Sequence, residues 1–236
     1  RIAVVELSFT IYKMLSKNTL KQINANPIEW AQSSKLDELH TVILEASRLY
    51  YNSETILLSD EVFDSLIEIY NNRSSIPYKN IGAALDSEIG KSKLPVHMGS
   101  MNKTKSLKEL TSWLYNSIDF EGVIITPKID GTSALLRLKK TVSKQIVANL
   151  YTRGNGDVGK NIDFMINNLF NVQRIKDFLN TSELNELIFR GELIVSKSNF
   201  ENLSSTFKSS RSLVNGMTNK KLDTNNIDIL EFLCFE

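Results

Sequence analysis

The first third of the chain places apolar residues at the spacing of amphipathic helices. One helix is predicted to begin after Ser34, which serves as its N-cap. Its apolar stripe consists of Leu36, Leu39, Ile43, Ala46 and Tyr50. A second begins after Ser59 and has its stripe at Val62, Phe63, Leu66, Ile67 and Tyr70. Residues 1–20 fit a strand or a helix, and we favour a helix. The polar run 71–77 ends in a proline and predicts a boundary, so residues 1–75 are expected to form a small all-helical domain.

A strand-like pattern begins near residue 122. Strand-forming runs cover 123–125, 132–138, 145–152, 187–195 and 227–235. Helical patterns cover 161–170 and the segment after Ser106, which forms a capping box with Glu109. Polar connections such as Lys139-Lys140 are typical of hairpins, so the sheets are predicted to be antiparallel. The predicted fold class is α+β, with residues 76–236 as the second domain.

Composition excludes some classes of protein and leaves others open. The 28 basic and 27 acidic residues give a net charge of +1, which neither requires nor excludes a nucleic-acid partner. The single cysteine, Cys234, rules out an internal disulfide and a cysteine-based zinc site, and it fits an intracellular, cytoplasmic location. No apolar run approaches the roughly 20 residues of a membrane span, so none is expected. The chain begins with Arg1, and we interpret it as a fragment.

The stretch Lys128-Ile129-Asp130-Gly131 lies between two predicted strands. Asp-Gly is a common hairpin turn signal, and a lysine beside such a turn is usually a solvated charge. The alternative is that Lys128 is a nucleophile. An amine attacks only in its neutral form, so this hypothesis requires burial and neighbouring positive charge to favour loss of the proton.

Residues Gly154 to Gly159 spell the G-x-G-x-x-G pattern of a dinucleotide-binding site. A Rossmann site also needs parallel strands and a second strand that ends in an acidic residue about 20 residues later. Region 171–180 shows no strand pattern, and a glycine-rich turn without a ligand is the simpler interpretation. A Rossmann-type NAD oxidoreductase and a non-catalytic α/β interaction domain both remain open at this point.

Two further features are weak when taken alone. Arg190-Gly191-Glu192 puts two charges inside an apolar strand, which is costly unless the charges are paired or face a cleft. An edge strand with an internal ion pair would explain them equally well. Arg211 lies in a polar segment, where exposure to solvent is the default.

The order of these motifs resembles the adenylation domain of the NAD-dependent DNA ligases. That family has KxDG, TRGDGxxGE and RGE motifs followed by an arginine-bearing segment, which match Lys128–Gly131, Thr152–Gly156, Arg190–Glu192 and Arg211 with Asn215-Gly216. The resemblance implies a covalent-nucleotidyltransferase fold of the ATP-grasp-like ligase type, with Lys128 and Asp130 as catalytic residues. It also implies nucleotide contacts from Ile129, Gly131, Arg153, Glu192 and Arg211, of which Glu192 suits the ribose hydroxyls.

The N-terminal region resembles the small helical domain of the same family, which holds the nicotinamide mononucleotide (NMN) half of NAD. The residues that carry this resemblance are Tyr50, Tyr51, Asp60, Phe63 and Asp64. Segment 98–101 is similar to a family segment near the nucleotide, which adds Ser100 and Met101 to the expected binding residues. Aromatic faces and carboxylates suit the flat, positively charged nicotinamide ring.

Some positions depart from the family pattern. Tyr51 stands in place of a histidine, Phe63 in place of a tyrosine, Thr126 in place of a glutamate and Asn219 in place of a second arginine. These departures put the adenine contacts and one phosphate contact in doubt, and they fit a divergent, viral member of the family.

The resemblance implies the following chemistry. Lys128 attacks the AMP phosphorus of NAD, NMN leaves, and the lysyl-AMP passes its AMP to the 5′ phosphate of nicked duplex DNA, in replication or repair. DNA-gripping modules and later family motifs are not found before residue 236, so the adenylation domain is expected to be incomplete. Mg²⁺ is expected as a cofactor, with no residue assigned as its ligand, and a monomer is expected. An ATP- or GTP-dependent covalent nucleotidyltransferase is the alternative within the same superfamily.

Overall fold

The structure is a computed structural model, which describes residues 16–53, 56–78, 83, 90–100, 103–116, 123, 125–203, 207, 209–219 and 224–236. Its helices, in chain order, are α1 (Lys17–Ala25), α2 (Pro27–Ser33), α3 (Leu36–Asn52), α4 (Asp60–Arg73), α5 (Leu107–Asn116), α6 (Ile166–Leu169), α7 (Val172–Thr181), α8 (Lys197–Glu201) and α9 (Ser210–Thr218). Its strands are β1 (Lys91–Lys93), β2 (Thr132–Lys140), β3 (Ile146–Thr152), β4 (Val158–Lys160), β5 (Glu186–Val195) and β6 (Leu230–Cys234). Short 3₁₀ segments cover Asp163–Met165 and Thr224–Ile229.

Helices α1 to α4 pack around a hydrophobic core of their own. Leu39 and Ile43 from α3 meet Leu66 from α4 there, and all three side chains are fully buried. The predicted cap Ser59 accepts a hydrogen bond from the Val62 amide at 3.3 Å, so α4 begins where the sequence indicates. The predicted cap of α3 is wrong, because Lys35 occupies that position and makes no capping bond through its side chain. Residues 1–15 of the segment predicted as a helix lie outside the described residues.

The main sheet has four strands in the order β3-β2-β5-β6, and each neighbouring pair is antiparallel. In the register of β2 and β5, Ser133 lies opposite Glu192 and Leu135 opposite Arg190. A second pair, β1 and β4, is also antiparallel. The mixed helical and antiparallel organisation confirms the predicted α+β class.

Alternation along β2 separates the two faces of the sheet. Ala134, Leu136 and Leu138 are buried in the largest core, which also contains Leu213 and Val214 of α9. On the opposite face, Leu135 joins a smaller cluster with Leu94, Met98 and Tyr151. Ser133 and Glu192 share this second face, at the end of the sheet where β2 begins.

The structure does not support two of the interpretations made from the sequence. No strand is present at residue 123 or over residues 125–130, and the Ile125 side chain is 91% exposed. In the described part of the chain, no strand pairs with residue 123 or residue 125. Gly154 to Gly159 join β3 to β4 and continue into β4, so they do not form the strand–turn–helix unit of a Rossmann site. Within the described ranges, the structure has no helix long and apolar enough to cross a membrane.

Candidate active site

The segment that carries Lys128 leads directly into β2. Residues 125–130 have no regular secondary structure, and the side chain of Lys128 is exposed. Gly131 follows and is buried, and a Cβ atom at this position would lie 2.1 Å from the Leu193 carbonyl oxygen of β5. Gly131 does not belong to the glycines with positive φ, so Asp130-Gly131 is not a type I′ hairpin turn. The glycine is instead required because the chain passes very close to β5.

Arg211 binds the carboxylate of Asp130 in a forked arrangement. Its Nε and Nη2 atoms donate to Asp130 Oδ1 at 2.8 and 2.6 Å. Arg211 is the second residue of α9, a helix whose start is defined by a capping box between Ser209 and Ser212. The Arg211 side chain is 14% exposed and that of Asp130 57% exposed, so the pair lies at the edge of a cleft.

The C-terminal end of α3 brings two tyrosines onto the arginines of the site. The guanidinium carbon of Arg211 lies 4.7 Å from the centre of the Tyr50 ring. Arg153 lies 5.3 Å from the centre of the Tyr51 ring, and its Nη2 donates to the Tyr51 hydroxyl at 3.0 Å. The two tyrosine rings meet edge to face at 5.1 Å. Each arginine therefore contacts a different tyrosine.

Arg153 is positioned by the glycine-rich turn that follows β3. Gly154 has a φ of +55°, and a Cβ atom there would lie 1.9 Å from the Val158 carbonyl oxygen. This backbone conformation is accessible to glycine at low cost, and the close approach leaves no room for a side chain. The glycines of the G-x-G-x-x-G pattern are thus explained by a tight turn beside Arg153.

Glu192 is the second carboxylate of the cleft. Its Oε2 accepts a hydrogen bond from Ser133 Oγ at 2.8 Å across the β2–β5 pair. Burial raises the pKa of Glu192, and the Ser133 hydrogen bond and the nearby charges of Arg211 and Arg153 offset only part of that rise. Burial also raises the pKa of Tyr50 well above its usual range. The neutral Tyr50 phenol and the charged Arg211 guanidinium are therefore compatible neighbours.

A cavity of about 40 Å³ lies between the end of α3, the sheet and α9. Arg153 and Arg211 line it, and its remaining walls are mostly polar: Tyr51, Asn52, Ala83, Thr132, Ser133, Thr152, Gly154, Lys160, Asn215, Thr218 and Asn219. This volume holds a few water molecules, since a water needs roughly 10–15 Å³ by the same measure. A nucleotide is larger than this cavity.

Several residues expected at the site have other surroundings. Arg190 of the RGE motif donates to Glu236 at 2.6 Å. Phe63 packs against the core of the helical region. Asp64 binds Lys103 at 3.0 Å, and Ser100 is exposed. The pKa of Tyr50 is raised mainly by burial and lowered in part by Arg211, and nearby Asp60 also raises it. Met101 lies outside the described residues.

Thr132 and Lys160, which were not among the residues selected from the sequence, also line the cleft. Thr132 donates to Asn215 Oδ1 at 2.8 Å, and Lys160 donates to Asn219 Oδ1 at 2.8 Å. Thr132 and Ser133 directly follow Gly131, and such polar residues at the start of a buried strand were a signal available in the sequence. The described residues contain no group of three or more His, Cys, Asp or Glu side chains placed to hold a metal ion.

The chain is similar in sequence to known proteins. Residues 86–223 match the family model described as NAD-dependent DNA ligase adenylation domain. A DNA ligase of Acanthamoeba polyphaga mimivirus is 33% identical over 216 residues, which are 89% of this chain and 32% of the viral protein. A DNA ligase of Clostridium kluyveri is 27% identical over 223 residues, or 84% of this chain and 32% of the bacterial protein. The chain thus spans about a third of the length of these relatives.

Proposed function

The chain belongs to the family of NAD-dependent DNA ligase adenylation domains, and we propose that it forms a lysyl-AMP at Lys128 from NAD as the first step of DNA ligation. The observation that carries the proposal is Arg211, which contacts Asp130 of the K-x-D-G motif and Tyr50 of α3 at the same time. One cation thereby connects the segment of the nucleophile with the aromatic residues proposed for the leaving group. A phosphate and a nicotinamide ring that are covalently linked in NAD need such adjacent sites.

In the proposed step, the neutral Nζ of Lys128 attacks the phosphorus of the AMP half of NAD. The new N–P bond replaces the P–O bond to NMN, which leaves with the bonding electrons, and the amine proton passes to solvent. Arg211 and Arg153 supply positive charge beside this phosphate, which stabilises the charge that develops during transfer. The exposed amine of Lys128 gains the burial required for its reactivity only when the nucleotide covers the cleft.

The remaining site residues have proposed binding roles. The ionised Glu192 carboxylate has hydrogen-bond acceptors and no donor, so it suits the ribose hydroxyls. Ile129 and Gly131 form the backbone against which the nucleotide lies. Tyr50, Tyr51, Asp60 and Asp64 line the proposed NMN site on the helical region. Residues 1–75 would form the NMN-binding domain, and residues 76–236 an adenylation domain of the ATP-grasp-like covalent-nucleotidyltransferase fold.

Mg²⁺ in phosphate-transfer sites typically binds through one or two carboxylates together with substrate phosphates. Asp130 and Glu192 are the carboxylates near the arginines that would hold it here. When bound, the ion would supply positive charge to the transferring phosphoryl group. The second substrate of the protein is proposed to be nicked duplex DNA. The protein is proposed to act as a monomer inside the cell.

Incubation with NAD labelled in its AMP half tests the proposal. We expect covalent label on a peptide that contains Lys128, release of one NMN per label, and no label in Lys128→Ala. The matched control is Lys139→Ala, which removes a lysine from the far end of β2. Label that survives Lys128→Ala, or that comes from ATP in place of NAD, would contradict the assignment. A Rossmann oxidoreductase would bind NAD reversibly and leave no adduct.

A further inference from the structure

Asn215 of α9 and Asn219, the C-cap residue of α9, contact the backbone at the C-terminal end of α3. Asn215 Nδ2 donates to the Tyr50 carbonyl oxygen at 3.0 Å, and Asn219 Nδ2 donates to the Asn52 carbonyl oxygen at 3.3 Å. The last four carbonyls of a helix have no partner within that helix. The two amide groups therefore act as a C-terminal cap for α3 that is supplied by a different part of the chain.

Each asparagine is also anchored on its other side. Asn215 Oδ1 accepts a hydrogen bond from Thr132, which directly follows Gly131, and Asn219 Oδ1 accepts one from Lys160 of β4. The Asn215 side chain is only 4% exposed and uses both its donor and its acceptor. Asn215 thus connects the start of β2 with the end of α3 through one rigid amide group.

The hydrogen bonds from both asparagines to α3 are made to main-chain carbonyl oxygens. They hold the helix end whichever side chains it carries, so they set the position from which Tyr50 and Tyr51 reach Arg211 and Arg153. Asn219, the C-cap residue, follows Asn215 by about one helical turn at the C-terminal end of α9. Two contacts along the helix end restrict its rotation as well as its distance from the sheet.

We infer that Asn215 and Asn219 are positioning residues for the NMN site, which hold the end of α3 against α9 so that the tyrosines face the phosphate-binding arginines. This inference rests on the proposed function. Neither amide needs to contact NAD, since both act through α3. Their loss weakens the use of NAD without removing Lys128 or the arginines.

The experiment measures the rate of lysyl-AMP formation against NAD concentration. Asn215→Asp keeps the size of the side chain and the acceptor for Thr132, but an ionised carboxylate cannot donate to the Tyr50 carbonyl. Asn219→Asp makes the matching change one turn later. We expect the half-saturating NAD concentration to rise roughly tenfold in each variant, as the loss of a buried hydrogen bond predicts. The rate at saturating NAD should remain within about twofold of the wild-type value.

The control is Asn168→Asp, which alters an exposed asparagine that bonds to Asp228 away from the cleft. A half-saturating concentration that is unchanged or lowered in both α9 variants would overturn the inference. So would an equal fall in the maximal rate, because that result indicates general damage to the site. If Asn215→Asp is unfolded at the assay temperature, the more exposed position Asn219 decides the question. Absence of label in the wild type would instead contradict the proposed function itself.

Discussion

Arg211 lies over the Tyr50 ring at 4.7 Å while it donates two hydrogen bonds to Asp130. The two partners of this arginine come from different parts of the chain, one from the end of α3 and one from the segment before β2. The ion pair and the ring contact share a single guanidinium. A change at Tyr50 is therefore expected to affect Asp130 and the phosphate site as well.

Removal of the Tyr50 ring should weaken the use of NAD. In Tyr50→Ala we expect the half-saturating NAD concentration for labelling to rise roughly tenfold, because a partly desolvated cation–π contact contributes about 1–2 kcal/mol. Tyr50→Phe keeps the ring and should remain within about twofold of the wild type. Equal losses in the two variants would show that the hydroxyl, and not the ring, carries the interaction.

Glu192 should make the stability of the fold depend on pH. Its pKa is raised, with burial as the largest cause, so the folded state holds the proton more tightly than the unfolded chain. This contribution is fully present below the unfolded pKa of about 4.3 and is lost as pH rises through the higher folded value. Glu192→Gln stays neutral, so its melting temperature relative to the wild type should be higher at pH 7.5 than at pH 4.

Ser133→Ala gives the complementary test of Glu192. It removes the hydrogen bond that favours the ionised carboxylate, so the loss of stability with rising pH should become larger than in the wild type. Thermal unfolding curves at several pH values provide the measurement. Parallel pH profiles for wild type and Glu192→Gln would contradict the assignment of this effect to Glu192.

Gly131→Ala should destabilise the fold. The added methyl group would meet the Leu193 carbonyl oxygen at 2.1 Å and Glu192 Cγ at 2.9 Å, so the start of β2 must shift away from β5. We expect a loss of about 2 kcal/mol or more in the free energy of unfolding, measured by urea denaturation. Gly99→Ala is the control, because its methyl group would meet the His97 ring at 3.5 Å, an ordinary van der Waals distance.

Asp64 offers a test of the proposed NMN site that separates binding from stability. Its ion pair with Lys103 is exposed, and such pairs contribute about 0–1 kcal/mol, so Asp64→Asn should leave the melting temperature nearly unchanged. If Asp64 contacts NMN, the half-saturating NAD concentration should rise severalfold. The control is Glu68→Gln, which breaks the similar pair with Lys105 one helical turn further along α4. The same effect from both variants would remove Asp64 from the NMN site.

The sequence by itself determined the local elements and the kinds of chemistry. Apolar periodicity located α3 and α4, and alternation located β2, β3 and β5, because each period follows from the geometry of one segment. The motif residues Lys128, Arg153, Glu192 and Arg211 could be selected from their order along the chain. The family comparison confirms the family that this order indicated, while the roles of the individual residues stay predictions.

Only the tertiary structure decided which of those side chains meet. Arg211 binds Asp130 from 81 positions away, and Asn215 reaches the Tyr50 carbonyl from 165 positions away. Such pairs depend on strand register and on how α3 docks against α9, and neither is encoded in the pattern of one segment. The same cause explains the strand wrongly predicted at 123–125: a short apolar run forms a strand only beside a partner, and residues 123 and 125 pair with none in the described part of the chain.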